Sequence, residues 1–253
     1  MRGTGPRLVL AHGFTQTSQV WGGINDDLAL DHEVVAVDMP GHGRSAAVRS
    51  TLVDGALQLG AVGGRAAYLG YSMGARFCLH LALACPHLVD SLILISGTAG
   101  IEDPDERLDR LRSDGALADR LDPPGADRPA QPVEEFLREW MANPMFSGID
   151  PGADGFPERL ANTGPGLASS LRWAGTGTQL PLWGKLEHLT MPVLVITGGD
   201  DIKFSRLGSR LVDGAGAGAS LAVVPESGHA PHLQHPDIVA GLVRAHLARG
   251  AAD

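Results

Sequence analysis

The chain has little cysteine, almost no lysine and no long apolar run, and each shortage removes a class of protein. Its two cysteines, Cys78 and Cys85, are too few for a disulfide framework, and their spacing makes no CxxC redox pair. Both read as buried thiols on a helix. No apolar stretch approaches the roughly 20 residues of a membrane span, and the opening MRGTGPRLVLAHGF runs at once into a strand-like segment rather than a signal sequence. The expectation is a cytoplasmic protein with no membrane partner. Positive charge is scarce as well: 20 Lys and Arg stand against 29 Asp and Glu, a net charge of −9. Without clustered cations, a nucleic-acid partner is not expected. Only Lys185 and Lys203 are lysine. A compositional bias that also favours Gly and Ala explains the arginine excess without an anion-binding role.

What remains is an ordinary globular composition, 43% hydrophobic over 253 residues. That length suits one large domain, or one domain carrying an insertion. Short apolar runs at Arg7–Ala11, Glu33–Asp38, Ala66–Tyr71 and Ser91–Ser96 lack polar alternation and end at or just before Gly, Ser, Asp or His. Strands buried on both faces of a parallel sheet look like this. Helical segments are expected between them at Ser18–Leu30, Thr51–Val62 and Met73–Ala84. The alternation predicts an α/β fold with right-handed crossovers.

From Gly97 to about Thr190 no strand-like run occurs. A helix is expected over 103–121, opened by Asp103 with Pro104 at its first position. Further helices are expected in VEEFLREWMANPMF and GLASSLRWAGTG, and a loop in DPPGADRPAQP. The strand pattern then resumes in MPVLVITGG and SLAVVPE and ends in the helix Pro236–Ala248. Residues 1–96 and 190–253 therefore read as one core, and 97–189 as a helical cap inserted into it.

Gly70-Tyr71-Ser72-Met73-Gly74 matches G-x-S-x-G, placed after a buried strand and before a helix. In that slot it forms a nucleophile elbow; elsewhere it would be a glycine-rich turn whose serine caps a helix. A nucleophilic serine needs a base, and the base needs an orienting acid; on this fold they follow in the order Ser, acid, His. The acid is Asp200 or Asp201, with Asp201 preferred because such loops read G-x-x-D from Gly198. The base is His229, in competition with His232 and His235. A metal site built from those three histidines is disfavoured, because Pro231 interrupts the helix that would place them on one face. Backbone N–H donors for an oxyanion are expected from Met73, after the nucleophile, and from Phe14 in the AHGFTQ loop.

The sequence resembles the 2-succinyl-6-hydroxy-2,4-cyclohexadiene-1-carboxylate synthase family of the menaquinone pathway, within the α/β-hydrolase superfamily, over nearly its whole length. HGF at 12–14, VDMPGHGRS at 37–45 and GYSMGAR at 70–76 are common to the superfamily. SGTAGIEDPDER at 96–107, ANPMF at 142–146, RLANTGPGLASSLRWAGTGTQLPLW at 159–183 and GGDDIKF at 198–204 are more specific. The resemblance implies an α/β-hydrolase fold with a mostly parallel sheet and a helical cap. It also implies a Ser72–Asp201–His229 triad that abstracts a proton and expels pyruvate without an acyl-enzyme, and no cofactor or metal. It implies a small carboxylated substrate held by Arg76, Arg107 and Arg159, with Tyr71 and Trp140 beside it. Two departures stand out: Glu102 puts an anion near the expected substrate, and residues 114–132 are unlike the family. A carboxylesterase working through an acyl-enzyme on Ser72 is the alternative.

Overall fold

The computed structural model describes residues 1–125, 129–150 and 152–250. Part of the expected loop at 122–132 and the final residues of the expected core segment lie outside the described residues. Six strands, β1 (Arg7–Ala11), β2 (Glu33–Val37), β3 (Ala66–Tyr71), β4 (Val89–Ile95), β5 (Val193–Gly198) and β6 (Ala219–Val224), form one sheet. Their order is β2-β1-β3-β4-β5-β6, and every neighbouring pair is parallel. Helices α1 (Gly22–Leu28), α2 (Leu52–Gly63) and α3 (Met73–Ala84) join the first four strands. Helices α4 (Pro104–Leu121), α5 (Val133–Met141), α6 (Phe156–Arg159) and α7 (Gly164–Ala174) lie between β4 and β5, and α8 (Ile202–Ala215), α9 (Pro231–Gln234) and α10 (Pro236–Gly250) complete the chain.

The missing polar alternation has a direct cause, since both sheet faces are covered. Val9 and Ala11 of β1 pack with residues of α2, α3 and α8, including Leu59, Phe77 and Leu211. Leu8 and Leu10 point to the other face and meet Ile24 and Leu28 of α1 with Val239 and Val243 of α10. Among the described residues no strand lies between Ile95 and Val193. A third apolar cluster, containing Leu121, Phe136, Leu167 and Leu171, binds α4, α5 and α7 to one another, and Phe14 of the core leans on it.

Local signals placed most helix starts. Asp103 accepts the amides of Asp105 and Glu106 at 2.9 Å, with Pro104 at the first helical position. Two helix boundaries differ most from expectation. Helix α1 begins at Gly22 instead of Ser18, because the Ser18 amide is drawn away to Asp38 at 2.7 Å. Helix α5 stops at Met141: Asn143 precedes Pro144, takes an extended conformation and caps a short 3-10 turn at Pro144–Phe146. No described helix is long and apolar enough to cross a membrane.

The strand order positions the site. The chain moves from β1 outward to β2, then crosses back to pair β3 on the other side of β1. That reversal opens a crevice beyond the carboxyl ends of β1 and β3. Phe14 follows the first of these strands and Ser72 the second.

Candidate active site

Ser72 sits between the last residue of β3 and the first of α3 with φ 50° and ψ −105°. A positive φ is strained for any residue with a β-carbon, and it persists here because the surroundings leave no other path. A side chain on Gly74 would place its Cβ 1.8 Å from the Ala11 carbonyl oxygen, and one on Gly70 would lie 2.5 Å from the Gly74 backbone. The two glycines let strand, turn and helix press together, and the serine hydroxyl is thereby exposed at the sheet edge.

Ser72 Oγ lies 3.1 Å from His229 Nε2, and His229 Nδ1 lies 2.8 Å from Asp201 Oδ2. His229 follows β6 and is buried, its ring packed edge-on against Phe204 at 4.3 Å and beside Tyr71 at 5.6 Å. Asp201 caps α8 by accepting the Phe204 amide at 3.1 Å. Burial alone would raise its pKa, but the bonds from His229 and from the Phe204 amide outweigh burial and leave it below the usual carboxylate range. Asp200 is exposed. Its neighbour is the carboxylate that reaches the imidazole. The other two histidines are employed separately: His232 packs tilted against Tyr71 at 4.3 Å, and His235 bonds the Glu226 carbonyl at 3.1 Å.

Phe14 and Met73 both face the cavity above Ser72. The Met73 amide belongs to the first turn of α3, where amides have no intrahelical acceptor. The backbone on either side of Phe14 is engaged. The Gly13 amide donates to Gln16 Oε1 at 2.9 Å, the Gly13 carbonyl accepts from Gln16 N at 3.1 Å, and the Thr15 amide donates to His42 Nε2 at 3.3 Å. The Phe14 amide has no acceptor among the described residues.

The cavity measures about 860 Å³ and is walled by the sheet edge below and by α4, α7 and the 140–146 segment above. Arg76 lies on its wall at 6% exposure, with Nη1 donating to the Ala174 and Gly175 carbonyls at 2.9 and 3.3 Å. Burial, with help from nearby Arg110, pushes its pKa down to about 10, so the guanidinium stays charged near neutrality. Tyr71 and Trp140 also line the cavity. The Trp140 ring meets Phe14 edge-on at 5.0 Å, and its buried Nε1 has no acceptor among the described residues.

Two expected arginines are placed elsewhere. Arg107 lies outside the cavity wall, and Arg110 occupies the wall one turn further along α4. Arg110 is fixed by buried Asp114 at 2.7 Å, whose second oxygen accepts the Gly177 amide at 3.2 Å. The Arg110–Asp114 pair at four-residue spacing was the available signal. Arg159 is 2% exposed and also absent from the wall; it reaches Thr15 Oγ1 at 2.6 Å instead. Glu102 does line the cavity, but Arg210 neutralises it at 2.6 Å while stacking over Trp183. Ser96, overlooked as a site residue in the sequence, follows β4 at φ 48° with a buried hydroxyl on the cavity wall.

Known proteins resemble the chain end to end. The 2-succinyl-6-hydroxy-2,4-cyclohexadiene-1-carboxylate synthase of Serratia proteamaculans is 30% identical over 252 residues, covering 96% of this chain and 93% of that one. The enzyme of the same name from Pectobacterium atrosepticum is 29% identical over 263 residues, covering 98% and 96%. The solved structure of MenH from S. aureus superposes with a TM-score of 0.88 at 24% identity, covering 99% of this chain and 97% of that one, and so shares the fold. Residues 8–242 match the family described as Alpha/beta hydrolase, and the chain belongs to that family.

Proposed function

We propose that the chain carries out the reaction named for its relatives: it abstracts a proton from a small polycarboxylate of the menaquinone pathway and eliminates pyruvate. The observation that carries this reading is Arg76. It is a buried guanidinium on the cavity wall, held only by two carbonyls, with no carboxylate within 4.0 Å among the described residues. Asp114 favours the charged guanidinium only from beyond salt-bridge distance, so burial still outweighs it, and a substrate carboxylate in direct contact would offset that cost.

His229, oriented by Asp201, accepts the hydroxyl proton of Ser72 as the serine oxygen takes a proton from the carbon beside a substrate carbonyl. The electrons of that C–H bond become a C=C bond, and negative charge gathers on the carbonyl oxygen. The Phe14 and Met73 amides are the donors available to it. Collapse of this enolate re-forms the carbonyl, moves the electron pair into a new C=C bond conjugated with it, and breaks the C–O bond to an enolpyruvyl ether oxygen. That group departs with the proton held by His229 and becomes pyruvate. Arg76 and Arg110 hold substrate carboxylates, and the Trp140 and Tyr71 side chains complete the wall beside them. Arg107 and Arg159 are given no substrate contact.

Ser72 within hydrogen-bond reach of His229 also supports a second reading, a carboxylesterase acting through an acyl-enzyme. Incubating the purified protein with the pathway intermediate separates the two. The expected result is stoichiometric pyruvate, followed by coupling to lactate dehydrogenase, with only slow release of nitrophenol from p-nitrophenyl acetate. Rapid ester turnover with an untouched intermediate would overturn the elimination reading.

A further inference from the structure

Thr15 is the residue after Phe14, and its backbone holds φ 66°. For a β-branched side chain this is a true outlier, which survives only where neighbours over-determine it. Thr15 is fully buried, and each of its polar groups is engaged. Its amide donates to His42 Nε2 at 3.3 Å, its hydroxyl accepts from Arg159 Nη1 at 2.6 Å, and its carbonyl accepts from Asn162 Nδ2 at 2.8 Å. The last two partners belong to the helical block between β4 and β5, about 145 residues away in sequence.

Those partners are themselves anchored. Arg159 Nε donates to the Asp154 carbonyl at 2.9 Å, and Asn162 Oδ1 accepts the Gly43 amide at 3.0 Å. On the core side, His12 Nδ1 donates to the Gly13 carbonyl at 2.8 Å while its Nε2 accepts the Met39 amide at 3.0 Å. The Gly13 carbonyl and the Phe14 amide share one peptide plane, so fixing the carbonyl aims the N–H. The core therefore fixes the plane before Phe14, and the helical block fixes the residue after it.

We infer that Arg159 and Asn162 are positioning residues that act through the strained Thr15, holding the Phe14 amide where the oxyanion forms. Their role is on the rate of the chemical step, and neither touches substrate. The inference rests on Phe14 being an oxyanion donor, a role common to elimination and ester hydrolysis. Its test can therefore use whichever of the two reactions the wild-type protein turns over, so failure of the substrate assignment leaves it intact.

The test is a double-mutant cycle between Thr15→Val and Arg159→Met, with Thr15→Ser as the conservative control. Thr15→Val removes the hydroxyl and keeps the β-branch. Each of the two should lower kcat about 10- to 100-fold with KM changed less than about threefold, since small misplacements of catalytic groups cost this much. The double variant should be no more than about twofold below the worse single, because both cut the same contact. Thr15→Ser should keep kcat within about twofold of wild type. A raised KM with intact kcat in Arg159→Met would make Arg159 a substrate ligand, and losses that multiply in the double variant would show that it acts apart from Thr15; either result overturns the inference. Should Arg159→Met not fold, the serine and valine variants at position 15 decide: equal loss in both removes any role for the hydroxyl contact.

Discussion

The lower and upper walls of the cavity are built by different rules. Below, Phe14 and the Ser72–His229–Asp201 relay sit one to five residues past a strand's carboxyl end, and sheet geometry brings those ends together. Phe14, Ser72, Asp201 and His229 follow β1, β3, β5 and β6 and meet there although they are spread over most of the chain. Above, the groups project from helices whose rotation decides which side chain faces inward. A change of one turn on α4 exchanges Arg107 for Arg110. On the proposed reading, the lower wall supplies chemistry that many substrates could use, and Arg76 of α3 together with the helices above supplies the choice among them.

The sharpest contrast comes from removing the serine. Ser72→Ala should lower turnover by roughly three orders of magnitude or more on any substrate, measured by steady-state kinetics. An unimpaired variant would remove the lower wall from the mechanism. The upper wall should respond more gently and more selectively. Arg110→Gln should raise KM for the carboxylated intermediate roughly 10- to 150-fold, in line with the 1.5–3 kcal/mol or so of a hydrogen bond to a charged group. Arg107→Ala should stay within about twofold of wild type; the reverse pattern would mean that α4 presents its other face to substrate.

A smaller effect belongs to stability. His12 and His42 lie beneath the loop that carries Phe14, and burial lowers their pKa values from 6.5 to about 4 and about 3. His232, behind Tyr71, is likewise pushed by burial to about 3. Each stays neutral in the folded chain, while the unfolded chain gains a proton below about 6.5. Stability is therefore complete above that pH and declines as pH falls towards the folded values, by up to ~1.4 kcal/mol per unit for each imidazole. Denaturant melts at pH 7 and pH 5 should show it, and replacing His12 by Gln should flatten the slope. Equal slopes in wild type and variant would show that these rings titrate freely.

The same division explains how much could be read from the sequence. The strand ends announce themselves, because a buried strand followed by Gly or Asp and a helix start is a local pattern. Ser72, Asp201, His229, Phe14 and Met73 were legible for that reason, and the structure brings all five to one cavity or hydrogen-bonded relay. Choosing Asp201 over Asp200 took only the loop spacing. Helix phase is a weaker signal. Only the four-residue spacing of Arg110 and Asp114 marks which of several arginines on α4 faces in, and Arg159 found a buried hydroxyl instead of the cavity. The strained backbone of Thr15 left no trace in its residue type, since left-handed threonine is a product of tertiary contacts. Glu102, a mismatch on paper, is balanced by Arg210 from α8, a partner more than a hundred residues away.

The most direct test of the account is the ratio of two specificity constants in Arg76→Ala. One is kcat/KM for pyruvate release from the carboxylated intermediate, and the other is kcat/KM for hydrolysis of a neutral ester such as p-nitrophenyl acetate. If Arg76 meets a substrate carboxylate, the first should fall by about 30- to 1,000-fold, equivalent to roughly 2–4 kcal/mol, while the second changes little. Equal losses on both substrates would contradict the account and reduce Arg76 to a cap on the end of α7.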